Sequence, residues 1–194
     1  ATKTRSPKKL SVATKPVTLV KTASKKPVKA PIVINTPPSE RLDVYVFGEG
    51  SAGELGLGAK KIDGKSPVDV KRPRLNPFLS AKDVGVIQLA VGGMHCAALT
   101  HDNKIMTWGV NDQGALGREV LPGGNMKDIV ENAESGSDVD DNEDSCLNPN
   151  EAEPREIDTS GIEEHTKFAG VFAGDSVTFA LTTDGRVYGW GTFR

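Results

Sequence analysis

The sequence predicts an all-β protein made of small antiparallel sheets that stack face to face, as propeller blades do. Three observations lead there. A strand-like run ending in an aromatic residue and glycine occurs three times, at residues 44–48, 105–109 and 187–191. A second element recurs, at residues 90–99 and 172–181, and each copy reaches the aromatic-Gly run through a short polar turn. No stretch inside these repeats carries apolar residues at a sustained helical spacing. Repeated units of this kind cannot bury a face alone, and they gain a core only by stacking.

The chain opens differently. Within residues 1–39, Lys3, Arg5, Lys8, Lys9, Lys15, Lys21, Lys25, Lys26 and Lys29 are basic and no residue is acidic. Such a block stays solvated, so a disordered basic tail is expected over residues 1–41. Its charge suits salt-dependent, sequence-independent neutralisation of DNA phosphates. Ser6-Pro7-Lys8-Lys9 resembles the minor-groove motif of histone tails, with Ser6 a candidate for phosphorylation. Lys25-Lys26-Pro27-Val28-Lys29 has the composition that nuclear import receptors read. Arg5, Lys8, Lys9, Lys25, Lys26 and Lys29 are therefore candidate contacts to DNA or to an import receptor. An inert basic linker has the same composition, and that reading stays open.

The repeats begin near residue 42. Phe47-Gly48 is followed by a turn ending Gly53-Glu54-Leu55-Gly56, and Trp108-Gly109 by one ending Gly114-Ala115-Leu116-Gly117. Glycines there can take positive φ at little cost while the leucines turn inward. Trp108, Trp190, Leu55 and Leu116 are expected core residues. A third copy opens at Trp190, so the chain holds about two repeats and the start of another. Two blades cannot close a ring, and their side faces are expected to stay exposed.

Phe47 and Trp108 are 61 residues apart, whereas Trp108 and Trp190 are 82 apart. The excess coincides with an acidic segment at about 128–153, which has no Lys or Arg and is expected to be a solvated insertion. It lacks the ligand order of a calcium loop. Ser135 and Ser137 precede acidic residues and are candidate phosphorylation sites.

Several functions are disfavoured. Gly48-Glu49-Gly50-Ser51-Ala52-Gly53 spells a dinucleotide-binding pattern, but the Gly-rich residues 54–58 after it make a poor first helical turn. No apolar run approaches the roughly 20 residues of a membrane span, and no membrane association is expected. Cys96 and Cys146 form no disulfide framework, and His95, His101 and His165 share no metal-ligand spacing with them.

Three segments carry a family resemblance: Gly53-Glu54-Leu55-Gly56-Leu57-Gly58; Gly92-Gly93-Met94-His95 with Asn111-Asp112-Gln113-Gly114-Ala115-Leu116-Gly117-Arg118; and Trp190-Gly191-Thr192-Phe193-Arg194. They resemble the repeat of the regulator of chromosome condensation family, in a fungal-type version with an acidic insertion. The likeness runs from about residue 42 to 194, which marks the chain as an amino-terminal piece. The resemblance implies part of a seven-bladed β-propeller, with a tail over 1–41 and repeats over 42–194. It implies a guanine nucleotide exchange factor for the nuclear GTPase Ran, working without covalent chemistry and without a cofactor. It also implies a nuclear, chromatin-associated protein that meets histones, DNA and an import receptor.

Carried onto single residues, the resemblance implies that Asp175 is an acidic face residue used in exchange. Phe193 and Arg194 match the start of a protruding wedge, and His95 holds the histidine position of its repeat. These four are the candidate Ran-facing set. Asp175 also sits at a turn, where Asp bonds nearby backbone N–H groups, and His95 suits hydrogen-bonded packing. Asp112, at a polar turn of the preceding repeat, is the expected counterpart of Asp175 with a weaker role. Two departures stand out: Ser51 replaces a functional Asp of the animal members, and Val177 replaces the usual His. The alternative function is a repeat adaptor that binds partners without driving exchange.

Overall fold

The computed structural model describes residues 32–121 and 147–193. Arg5, Ser6, Lys8, Lys9, Lys25, Lys26, Lys29, Ser135, Ser137, Cys146 and Arg194 lie outside the described residues.

The short apolar runs form strands, and the polar turns between them form hairpins. β1 (Tyr45–Glu49) pairs antiparallel with β2 (Asp69–Leu75). β3 (Val86–Val91), β4 (His95–Thr100), β5 (Ile105–Gly109) and β6 (Arg155–Glu156) make a four-stranded sheet in chain order. β7 (Phe168–Ala173), β8 (Val177–Thr182) and β9 (Val187–Gly191) make a third sheet. The three aromatic-Gly runs are thus β1, β5 and β9.

The β4–β5 and β8–β9 hairpins close by the same chemistry. Thr100 Oγ1 donates to the Asp102 carboxylate and accepts from the Lys104 N–H at 3.0 Å. Thr182 Oγ1 does the same with Asp184 and with the Arg186 N–H at 2.8 Å. Each turn needs one residue at positive φ, supplied by Asn103 at 69° and Gly185 at 89°.

The cores lie between sheets. Val44, Leu79, Val86, Cys96, Ala98 and Trp108 form one cluster, with Val46 against it. Ile87, Leu99, Ile105, Phe168, Val171 and Ala180 form another, with Trp190 against it. All six residues of β4 are buried, because its sheet is covered on both faces. In β8 only Thr178, Ala180 and Thr182 are buried, and the residues between them are half-buried. Large apolar side chains remain exposed on all three sheets: Phe47 on the first, Val91 on the second and Phe172 on the third.

One joint holds each pair of sheets. Trp108 is fully buried and its Nε1 donates to the Glu54 carbonyl at 3.0 Å. Gly56 passes so close that a Cβ there would lie 2.7 Å from that Nε1, and its φ of +63° also favours glycine. Gly117 meets the Trp190 indole in the same way. The Gly-x-Leu-Gly turn is therefore a receptor for the tryptophan one sheet further on.

Two expectations change at their boundaries. The acidic segment is expected to be solvated through residue 153, yet residues 147–153 belong to the fold. Asn148 caps a single helical turn, α1 (Pro149–Ala152). The buried Ala152 packs against Gly53, and its carbonyl accepts from the Gly58 N–H at 3.0 Å. Glu151 accepts from the Asn111 N–H at 3.1 Å.

The tail is expected to reach residue 41, yet residues 32–43 form a strap along one end of the sheets. Ile34 and Asn35 donate their N–H groups to the Thr183 carbonyl, at 2.7 and 3.0 Å. The Asn35 side chain donates to the Thr182 carbonyl at 3.1 Å. The Leu42 N–H donates to Val86 at 2.7 Å, and Asp43 accepts from the Ala81 N–H at 2.8 Å. The strap thus runs from the third sheet across the second to the first.

Candidate functional site at the acidic hairpin

At the end of the strands opposite the strap, two turns lie side by side. Gly92 to Met94 joins β3 to β4, and Gly174 to Ser176 joins β7 to β8. The Gly92 N–H donates to His95 and the Gly174 N–H to Val177, both at 2.8 Å, so each turn is closed from within. Between the turns, the Gly93 N–H donates to the Asp175 backbone carbonyl at 3.1 Å. The Asp175 side chain is exposed beside it.

The neighbouring contacts extend this face. Ser176 Oγ donates to the Asp112 carboxylate at 2.9 Å, bringing a second exposed acid next to Asp175. The Thr192 N–H donates to the Ser176 carbonyl at 2.9 Å, which leads the chain on to Phe193. Phe193 is 61% exposed and meets Phe179 edge to face, with ring centroids 5.6 Å apart. Asp175, Asp112 and Phe193 thus make an acidic surface with an apolar neighbour. Such a surface can bind cationic groups of a partner and offer an aromatic anchor.

His95 is placed differently from the Ran-facing role expected for it. Its ring is 2% exposed, because it lies in the seam between the second and third sheets. Nε2 lies 2.8 Å from Thr178 Oγ1, which in turn donates to the Ala115 carbonyl at 2.9 Å. Burial pushes the His95 pKa below the ordinary histidine value, opposed by a hydrogen bond to the Asp175 backbone and by the Asp175 charge. The packing reading is the one this geometry supports.

The counterpart of Asp175 also changes. Gly93 occupies the equivalent turn position, whereas Asp112 belongs to the turn after β5 and reaches the site through Ser176. Sequence reasoning missed that contact, since no spacing rule links two turns on different sheets. Val177 takes the place of His95 in β8 and packs on Gly174. Ser51 is exposed in the turn after β1. Burial pushes the Cys96 thiol up to about 12, so it is a packing group. Among the described residues, no group of three or more His, Cys, Asp or Glu is placed to hold a metal ion.

The chain matches models of the regulator of chromosome condensation (RCC1) repeat over residues 43–99 and 168–192. Protein pim1 of Schizosaccharomyces pombe is 44% identical over 187 residues, covering 93% of this chain and 31% of that protein. Guanine nucleotide exchange factor SRM1 of Saccharomyces cerevisiae is 40% identical over 156 residues, covering 79% and 31%. The chain therefore spans less than a third of the length of these relatives. The crystal structure of Prp20p from Saccharomyces cerevisiae, reported with its binding properties to Gsp1p and histones, matches with a TM-score of 0.60 at 35% identity. That match covers 82% of this chain and 31% of that one. The crystal structure of Kap60 bound to yeast RCC1 (Prp20) matches with a TM-score of 0.62 at 34% identity, covering 90% and 36%. The match over residues 43–99 runs from β1 through β4, so one sequence repeat straddles two sheets and ties them together. The chain is part of a β-propeller built from regulator of chromosome condensation repeats, and it belongs to the family those repeats define.

Proposed function

We propose that this chain is part of a guanine nucleotide exchange factor for a Ran-type GTPase, acting on chromatin in the nucleus. It promotes GDP release and GTP loading, which serve nucleocytoplasmic transport and mitosis. The observation that carries the reading is the exposed Asp175 on a hairpin braced by the neighbouring sheet. Exchange needs no bond to the protein. It requires a surface that binds the nucleotide-free GTPase better than the loaded one. Exposed carboxylates suit that task, because they attract the cationic groups that otherwise hold the nucleotide phosphates. Phe193, followed by Arg194, supplies the beginning of the wedge.

The direct test adds catalytic amounts of the full-length protein to a Ran-type GTPase loaded with fluorescent GDP. Accelerated release is the expected result. Tight binding without acceleration would identify an adaptor instead.

The basic tail ahead of the strap, residues 1–31, supplies attachment through Arg5, Lys8, Lys9, Lys25, Lys26 and Lys29. DNA and an import receptor are its proposed partners, the latter in line with the yeast relative solved with Kap60, and histones are a proposed partner of the propeller. Removing residues 1–31 from the full-length protein leaves the strap in place. That deletion should weaken DNA binding and flatten its salt dependence, by about 0.9 in the log–log slope for each phosphate the tail had neutralised. An unchanged slope would make the tail a bystander. Phosphorylation at Ser6 should act in the same direction, adding roughly −1.5 to −2 charges beside Lys8 and Lys9.

A further inference from the structure

The turn that carries Asp175 does not stand free: the preceding sheet forms a seat under it. At Gly93 an added Cβ would lie 2.1 Å from the Asp175 Oδ1 atom. Gly93 is not at a positive φ, so its backbone does not demand glycine; the carboxylate above it does. At Gly92 a Cβ would lie 2.4 Å from the Gly174 carbonyl and 2.4 Å from His95 Cε1. The two side-chain-free positions leave room for the hairpin to settle on the backbone.

Below them, His95 holds the hairpin from inside. Thr178 Oγ1 gives its single proton to the Ala115 carbonyl, which leaves His95 Nε2 as the donor to that oxygen. The ring lies directly beneath Gly92, where an added Cβ would be 2.7 Å from Nδ1. On the far side, the Ser176 bond to Asp112 holds the other flank of the turn.

We infer that Gly93 of one sheet is a positioning residue for the Asp175 carboxylate of the next. The inference rests on the proposal that Asp175 meets the GTPase, and it adds which residue aims it. The two sheets then share one site: the second sheet contributes the seat and the third contributes the charge. Gly93 is the residue to test, because the nearest atoms an added methyl would meet are those of the Asp175 carboxylate and carbonyl.

The experiment uses the full-length protein with Gly93→Ala, Asp175→Ala and the double variant, assayed by release of fluorescent GDP from a Ran-type GTPase. Gly93→Ala should slow exchange about as much as Asp175→Ala while melting at the wild-type temperature. In the double variant the two effects should not multiply, because they act through one carboxylate. Wild-type exchange by Gly93→Ala alongside slow exchange by Asp175→Ala would overturn the inference. So would effects that multiply. If Asp175→Ala itself exchanges normally, the functional reading of Asp175 fails, and a crystal structure of Gly93→Ala then decides positioning on its own. An Asp175 side chain in its original rotamer there would overturn the seat as well, and a turned one would support it.

Discussion

Replacing Asp175 by Asn in the full-length protein should lower the catalytic efficiency of exchange by about tenfold or more, equivalent to about 1.4 kcal/mol or above. The upper bound follows from interfaces generally, where removing one partner of a buried, hydrogen-bonded charge pair costs about 2–5 kcal/mol and a rim charge much less. The turn should survive, since the bond that seats it runs through the Asp175 carbonyl and its own closure through Gly174 and Val177. A melting temperature equal to wild type is therefore part of the prediction. Wild-type exchange by this variant would reduce Asp175 to a turn residue. Asp112→Asn should have a smaller effect, because its amide oxygen can still accept from Ser176.

Replacing Trp108 by Ala should destabilise the full-length protein by about 3–5 kcal/mol, the usual range for removing a large buried aromatic. Trp108 heads the fully buried side chains by volume, and it fills the space between the first and second sheets. Its loss also takes the indole donor from the Glu54 carbonyl. Trp108→Phe keeps much of the packing and should cost less. Chemical denaturation measures both, and a Trp108→Ala shift below about 1 kcal/mol would show that the sheets are not held by this joint.

Much of the fold was legible because its units repeat. The aromatic-Gly runs occur three times and their partner strands twice, and Gly56 and Gly117 mark the tryptophan receptors by recurring at one spacing. The outer strands were not legible. β6 is only two residues long, and it follows the acidic segment with no periodicity of its own. α1 was hidden by charge, since Glu151 and Glu153 read as part of a solvated run. The strap was hidden by composition: residues 32–41 adjoin a basic tail, and Ile34 and Asn35 dock through backbone N–H groups that any sequence has. At the site, Asp175 stood out through its family resemblance, but its seat did not. Gly93 reads as an ordinary turn glycine until the next sheet is placed on it, and His95 was divided between two roles that only burial separates.

The strap also imposes an order in time. Asn35 and its partner Thr182 are 147 residues apart in the chain. At a synthesis rate of about 5–20 residues per second, Thr182 emerges roughly 7–30 s after Asn35. The β3–β4–β5 hairpins can close within that interval, but the strap must wait for the third sheet. Its attachment through Ile34 and Asn35 therefore forms after those hairpins, while its contacts to Val86 and Ala81 can form earlier.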